Sequence, residues 1–332
     1  MTPFDDLSGS GQVRLLRNAA VSQLRRYGIS ASAIRLLAHH RQTTFRVECR
    51  QTRRRYLLRF HRDGYRPPEE VRSEFRWLRQ LGAERDIVTP EPIATTSGED
   101  ILQVVADGIP TDLHCSLLRW VEGRRYFRRH GPGRRVVHKV GRIMATMHTL
   151  AEAFAPPKGF TCPVWNWERL FRYRRSVSDK RAIRRLPPAD RRLFAKVERQ
   201  VQAAMDNLGS SRKVLGVIHG DLMQANYLIH RAQVRIIDFA DFGVGYFLYD
   251  MAITLFALWG LDPGDRQRQA FLTGYREARS LSLDHERLLD VFIAGRGVVQ
   301  ARFVLASEFP DDRAMAPKYV SRVIDGLKHW LR

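Results

Sequence analysis

The stretch that decides the fold is Val217-Ile218-His219-Gly220-Asp221-Leu222-Met223-Gln224-Ala225-Asn226, followed by Ile236-Ile237-Asp238-Phe239. A loop with an Asp and, five residues on, an Asn can turn both side chains toward one site. A second Asp, twelve residues after Asn226 and beyond a tight hairpin, can face them. Apolar residues on both flanks place these polar groups at strand ends. Taken alone, His-Gly-Asp reads equally well as a turn, and Asp238 as a helix cap. The joint pattern points to phosphoryl transfer, which needs few parts. One carboxylate orients or accepts the proton of an attacking hydroxyl. An amide oxygen and a second carboxylate hold magnesium, a hard cation that prefers oxygen ligands. Asp221 is therefore assigned as the catalytic base, with Asn226 and Asp238 as metal ligands. His219 is grouped with Asp221 as a residue that braces the catalytic loop.

Working outward, the first third reads as strands around one helix. Ala33–Ala38, Thr44–Cys49 and Tyr56–His61 are short apolar or β-branched runs at hairpin spacing. Pro67–Leu81 is the helix, with prolines and acids at its start and Gly82 past its end. Val71, Phe75 and Leu78 form its apolar face. Ile101–Val105 and Leu113–Trp120 read as further strands, and Val121-Glu122-Gly123 as a hinge. After the hinge the periodicity turns helical: Val136–Phe154, Asp190–Leu208, and several helices from Tyr249 onward. The expected fold is α+β and bilobal, a protein-kinase-like arrangement of a small antiparallel-sheet lobe (residues 1–119) and a larger helical lobe (residues 120–332). Two hinged lobes make a cleft, where ligands commonly bind.

Composition narrows the function classes. The 332 residues carry a formal charge of +21, and only seven of the 56 basic residues are lysine. Such a charge can attract nucleic acid or acidic ligands. The arginines are spread along the whole chain, with thickenings at Arg124–Lys139 and Arg172–Arg192, so a solvated surface explains them and nucleic acid is not the expected partner. Three distant cysteines, Cys49, Cys115 and Cys162, suggest neither a disulfide framework nor a zinc site, which favours a cytoplasmic setting. The opening MTPFDDLSGS lacks a signal peptide's apolar core, and the longest apolar run, Met251–Leu261, is too short to span a membrane.

The loop His219–Asn226 resembles the HGDxxxxN loop of the aminoglycoside phosphotransferase and choline kinase superfamily, and Ile236–Asp250 resembles the stretch that follows it there. Leu57–Tyr65, Ser73–Leu81, Leu117–Gly123 and Gly141–Leu150 are similar to the branch with type II homoserine kinases and stress-response kinase A. The resemblance runs from about residue 30 to about 305. It implies ATP and Mg2+ as cofactors and a small-molecule hydroxyl as acceptor, of the amino alcohol, sugar or antibiotic class. It implies a monomer or homodimer without a membrane. The alternatives are a protein Ser/Thr kinase and a basic nucleic-acid-binding pseudokinase. The intact Asp/Asn/Asp set argues against the latter. The short interval from Asp238 to Asp250 leaves little room for a peptide-docking segment.

The resemblance also assigns the nucleotide side. Arg59 stands where the family's strand lysine would, fifteen residues before Glu74. It is expected to pair with Glu74 and to meet phosphate with a wider fork than a lysine's point charge. His39–Thr44 stands at the phosphate loop without a glycine, so any cradle would use backbone amides and the hydroxyls of Thr43 and Thr44; a plain surface hairpin is the other reading. The backbone of Arg119, Trp120 and Val121 is expected to face the adenine edge. Met223 replaces a histidine common in the family. Asp250 is expected to anchor the loop through His219 or a backbone amide, and Asp241 to support the metal site or only to form a turn. Trp165 and Trp167 either stack on a substrate or belong to the core. His148 is read as a core histidine, and Glu308, Asp311 and Asp312 as a solvated acidic loop.

Overall fold

The structure is a computed structural model that describes residues 3–40, 42–62, 64–110, 112–125, 131–172, 183–259, 265–307 and 310–330. The chain divides into two compact units, one of residues 1–123, 156–162 and 235–237, the other of the remainder.

The first unit is built on an antiparallel sheet. Strands β1 (Ala31–His39), β2 (Gln42–Cys49), β3 (Arg55–His61) and β6 (His114–Arg119) pair in that order, and both β4 (Pro92–Ile93) and β5 (Ile101–Gln103) pair with β6. Alternation decides which side chains enter the core: Phe45 and Val47 of β2 are fully buried with Leu58 and Phe60 of β3. Helix α1 (Gly9–Arg26) closes this face, contributing Leu16, Ala19, Ala20 and Leu24 to the same cluster. The sequence reading, with one helix in this region, missed it. The stripe of α1 is half alanine, and arginines crowd its flanks, so its apolar face has little contrast. Its start is nonetheless conventional: the Ser8 hydroxyl accepts the Gly11 amide at 3.2 Å.

Helix α2 (Pro68–Gly82) begins with Pro68 in its first turn, where no amide hydrogen is needed. It buries Val71, Phe75, Trp77, Leu78 and Leu81. Arg59 and His61 of β3 are also buried, at 3% and 1% exposure. The Arg59 guanidinium lies over the Phe75 ring of α2, 5.6 Å from its centre.

The second unit is mainly helical: α3 (Arg134–Ala153), α4 (Trp167–Phe171), α5 (Pro188–Leu208), α6 (Phe247–Leu258), α7 (Arg266–Ala278), α8 (Leu283–Ala306) and α9 (Pro310–Trp330). Helix α8 is buried on every side, from Leu289 and Phe292 through Gly295 and Val298 to Val304. It is the axis around which α5, α6 and α9 pack. A small sheet orders β7 (Val164–Trp165), β11 (Gly243–Tyr246) and β8 (Leu215–Ile218), and β9 (Tyr227–His230) pairs with β10 (Gln233–Ile236). Strand β8 delivers the chain into the His219–Asn226 loop. Helix α6 is apolar and buried along its length, and among the described residues no helix is long and apolar enough to cross a membrane.

Candidate active site

The loop after β8 is shaped by its backbone first. Gly220 has φ +79°, and a Cβ placed there would lie 2.1 Å from the Asp241 carbonyl oxygen. Only glycine accepts both the left-handed conformation and that approach. Asp250, at the start of α6, fixes the loop from behind. Its Oδ1 accepts the Gly220 amide at 3.0 Å and its Oδ2 accepts the His219 amide at 3.1 Å. Oδ2 also meets His148 Nε2 at 3.1 Å, while His148 Nδ1 meets the Tyr275 hydroxyl at 2.9 Å. Neither His148 nor Asp250 is exposed. Burial holds the His148 pKa below 6.5, and the pull of Asp250 does not overcome it. Burial alone would raise the Asp250 pKa; the His148 hydrogen bond and the charges and amides around it hold it below 3.8. The imidazole is thus neutral, donating from Nε2 to an ionised carboxylate.

The side chains of the loop meet one another. Asn226 Nδ2 donates to Asp221 Oδ2 at 2.9 Å and to the Asp221 carbonyl at 2.8 Å. Because the nitrogen of Asn226 is committed, its oxygen is the end left to a cation. The buried His219 ring packs against Phe239, 4.5 Å between centres, and its Nδ1 accepts the Asp221 amide at 3.3 Å. Asp238 sits on left-handed backbone at φ +65° with its side chain exposed. Among the described residues no cluster of three His, Cys, Asp or Glu could hold a metal by itself. An Asn oxygen and one carboxylate suit a hard cation that takes its other ligands from phosphate and water.

Arg296, on α8, was not singled out in the sequence. Its Nη2 donates to Asp221 Oδ1 at 2.9 Å, and the residue is only 8% exposed. Burial pushes the Asp221 pKa up to about 6; Arg296 opposes this, whereas the nearby Asp241 and Asp238 add to it. A signal was present: an arginine between Gly295 and Gly297, inside the otherwise apolar run 291–299, must find a partner. Trp165 and Trp167 are half-buried, and each donates its indole hydrogen to a backbone carbonyl at 2.9 Å, of Asp241 and Glu198 respectively.

In the first unit, Arg59 grips Glu74 with two parallel hydrogen bonds, at 2.9 and 3.1 Å, and Arg66 adds a third at 2.8 Å. Arg59 Nε also reaches Ser116 at 3.3 Å. Burial would raise the Glu74 pKa; the two guanidinium groups overrule it and lower it. Arg66 was the partner the sequence reading missed. Thr43 is fully buried, and its hydroxyl pairs with His39 Nδ1 at 2.8 Å, so it turns into the sheet rather than outward as a phosphate cradle would need. Thr44 is half-buried opposite Arg59, and Arg41 of the same turn lies outside the described residues. The amides of Arg119 and Trp120 donate to Glu91 and Arg55 carbonyls at 2.8 and 3.0 Å, and Val121 follows half-buried. Glu122 pairs with Arg55 at 2.5 Å. Glu308 and the side chains of Asp311 and Asp312 lie outside the described residues, as does most of Arg172–Arg192 before residue 183.

The chain and its fold are similar to known proteins. A curated relative, amicoumacin kinase of Bacillus subtilis (strain 168), is 26% identical over 248 residues, or 70% of this chain; the match spans 66% of that protein, just under two thirds of its length. The fold is similar to the solved structure of a microcompartment-associated aminopropanol kinase, with a TM-score of 0.78 and 23% identity, covering 95% of this chain and 97% of that one. It is also similar to the amicoumacin kinase hAmiN in complex with AMP-PNP, Ca2+ and Ami, with a TM-score of 0.75 and 16% identity, covering 96% of each chain. The kinase-like α+β fold expected from the sequence is the one these structures share. The model of the phosphotransferase enzyme family APH matches residues 33–288, and the chain belongs to that family.

Proposed function

We propose that this chain is an ATP- and magnesium-dependent kinase that phosphorylates a hydroxyl of a small molecule. The observation that carries the reading is the Asp221 carboxylate, held at one oxygen by Asn226 and at the other by Arg296, on a loop fixed by Asp250. A carboxylate so held can orient an acceptor hydroxyl and take its proton as the oxygen attacks the γ-phosphorus. Asn226 and Asp238 would hold the magnesium, which when bound supplies charge for the phosphate oxygens. His219 keeps the loop in register, and Arg59 with Glu74 serves the nucleotide side, together with Thr44 and the Arg119–Val121 backbone.

The acceptor class follows from charge at the site rather than on the whole chain. Bulk charge of +21 suits an acidic acceptor. Near Asp221, however, stands Asp241, a carboxylate outside the proposed base and metal pair, while the neighbouring Arg296 is already paired with Asp221. A local carboxylate favours an acceptor with an amine, and relatives named for aminopropanol and amicoumacin support a small molecule over a protein.

The test is ATP consumption with magnesium across amino alcohols, aminoglycosides, nucleosides, hydroxy acids and a generic protein, beside the thermal shift given by AMP-PNP. Turnover confined to amine-bearing alcohols is the expected result. No turnover with any acceptor and no nucleotide-induced shift would remove the reading.

A further inference from the structure

Helix α8 carries two buried arginines six residues apart, and their partners differ. Arg302 pairs with Glu198, itself buried, and donates to the Phe171 carbonyl at 3.1 Å, tying α8 to α5 and α4. Arg296 instead reaches Asp221, whose side chain is 26% exposed, on the loop. A guanidinium that loses its water needs an anionic partner. Here the partner is the carboxylate at the open end of the site. The Tyr249 hydroxyl lies beside the same guanidinium, and Asp241 stands near it.

We propose that Arg296 is a positioning residue for phosphoryl transfer: from the rigid central helix it fixes the plane of the Asp221 carboxylate. The inference rests on the reading of Asp221 as the base. With Arg296 on Oδ1 and Asn226 on Oδ2, the carboxylate cannot rotate without breaking one of two hydrogen bonds, at 2.9 Å each. Each oxygen keeps a second lone-pair direction for an acceptor hydroxyl. Asn226 ends the short 3₁₀ turn Gln224–Asn226 on the same loop as Asp221, whereas Arg296 comes from a separate element. Arg296 references the loop to the best-packed helix of the unit. A charge-assisted bond of this kind is stronger and more directional than a neutral one, and misplacement of a reacting group by about 1 Å can lower rates roughly 100-fold.

The experiment compares wild type, Arg296→Ala, Arg296→Lys, Arg302→Lys, Asp221→Asn and the double variant Asp221→Asn/Arg296→Ala. Melting temperature, AMP-PNP affinity with magnesium, and ATP turnover are measured, the last with 1-amino-2-propanol and with water as acceptor. We expect Arg296→Ala to lose roughly 100-fold in kcat with KM for ATP within about twofold. Free guanidinium chloride should recover part of the loss, and Arg296→Lys should lie between. Arg302→Lys should lower the melting temperature without this kcat loss. In the Asp221→Asn background, Arg296→Ala should lower the residual rate no further. Additive losses in the double variant, or a melting-temperature change with kcat intact, overturn the proposal. If Arg296→Ala does not fold, Arg296→Lys with unchanged kcat overturns it equally. Failure of the wild type to bind AMP-PNP or consume ATP overturns the function reading itself, and this inference with it.

Discussion

His148 Nε2 lies 3.1 Å from Asp250 Oδ2, with neither side chain exposed, and this pair ties helix α3 to the amides of the His219–Asn226 loop. Three donors converge on one carboxylate, two of them backbone amides of His219 and Gly220. Removing it strands all three in the core. We expect Asp250→Ala to destabilise the fold by about 1–3 kcal/mol for each stranded donor, with Asp250→Asn milder because it keeps one acceptor oxygen. Urea unfolding of the two variants checks the ranking; equal stabilities would show that the amides find other partners.

The same pair makes stability depend on pH. His148 and His61 both have folded pKa values below 6.5, His61 well below it because of burial first and then Arg59 and Arg66. Below pH 6.5 the unfolded chain binds protons that the folded chain refuses. Stability is therefore fully present above pH 6.5 and falls as pH drops below it, by up to about 1.4 kcal/mol per pH unit for each histidine. The lowered Asp250 pKa adds a further loss below about pH 4, where the unfolded carboxylate protonates first. Melting temperatures from pH 8 to 5 check the sign. A flat profile across pH 6.5 would contradict the neutral state of both imidazoles.

Gly220 and Gly98 offer a matched comparison. Both have positive φ, +79° and +86°, but a Cβ at Gly98 meets nothing within 4 Å, whereas at Gly220 it meets a backbone oxygen. Gly98→Ala should cost about 1 kcal/mol. Gly220→Ala must push Asp241 away and should abolish ATP turnover, as a steady-state assay on the folded variant will read.

Asp221→Asn keeps the shape of the side chain and removes the proton acceptor. Turnover is expected to fall roughly 10²–10⁴-fold while AMP-PNP still binds. Full activity in this variant would take the base role from Asp221.

Arg59→Met leaves Glu74 buried with Arg66 as its remaining guanidinium partner. Breaking such a pair costs about 3–5 kcal/mol. Arg59→Lys should recover part of that, short of wild type because an ammonium cannot make the two parallel bonds. Chemical denaturation of both variants measures the difference.

Much of this was legible in the residues because the relevant signals are local. Strands β2 and β3 show as short apolar or β-branched runs at hairpin spacing, α2 in its proline start and apolar face, and the loop in the spacing of His219, Asp221 and Asn226. What escaped was carried by tertiary partners. Arg296 and Arg66 are ordinary arginines among 56 basic residues until folding supplies Asp221 and Glu74. Helix α1 hid behind a stripe of alanines, and Thr43 looked like a loop hydroxyl because its register in β2 cannot be seen from its neighbours. The high arginine content raised the background against which a meaningful arginine had to be found.

Arginine at position 59 has one more consequence. The first lysine of the chain is Lys139, so residues 1–123 carry none, and the one lysine of this unit, Lys158, lies outside the sheet. Acyl-phosphate nucleotides, which label kinases by handing an acyl group to an amine near the phosphates, have no nucleophile to meet on β3. A guanidinium keeps its proton and does not take their place. On the proposed reading of Arg59, such a reagent finds no amine on β3, while equilibrium binding of the same nucleotide would still report the protein.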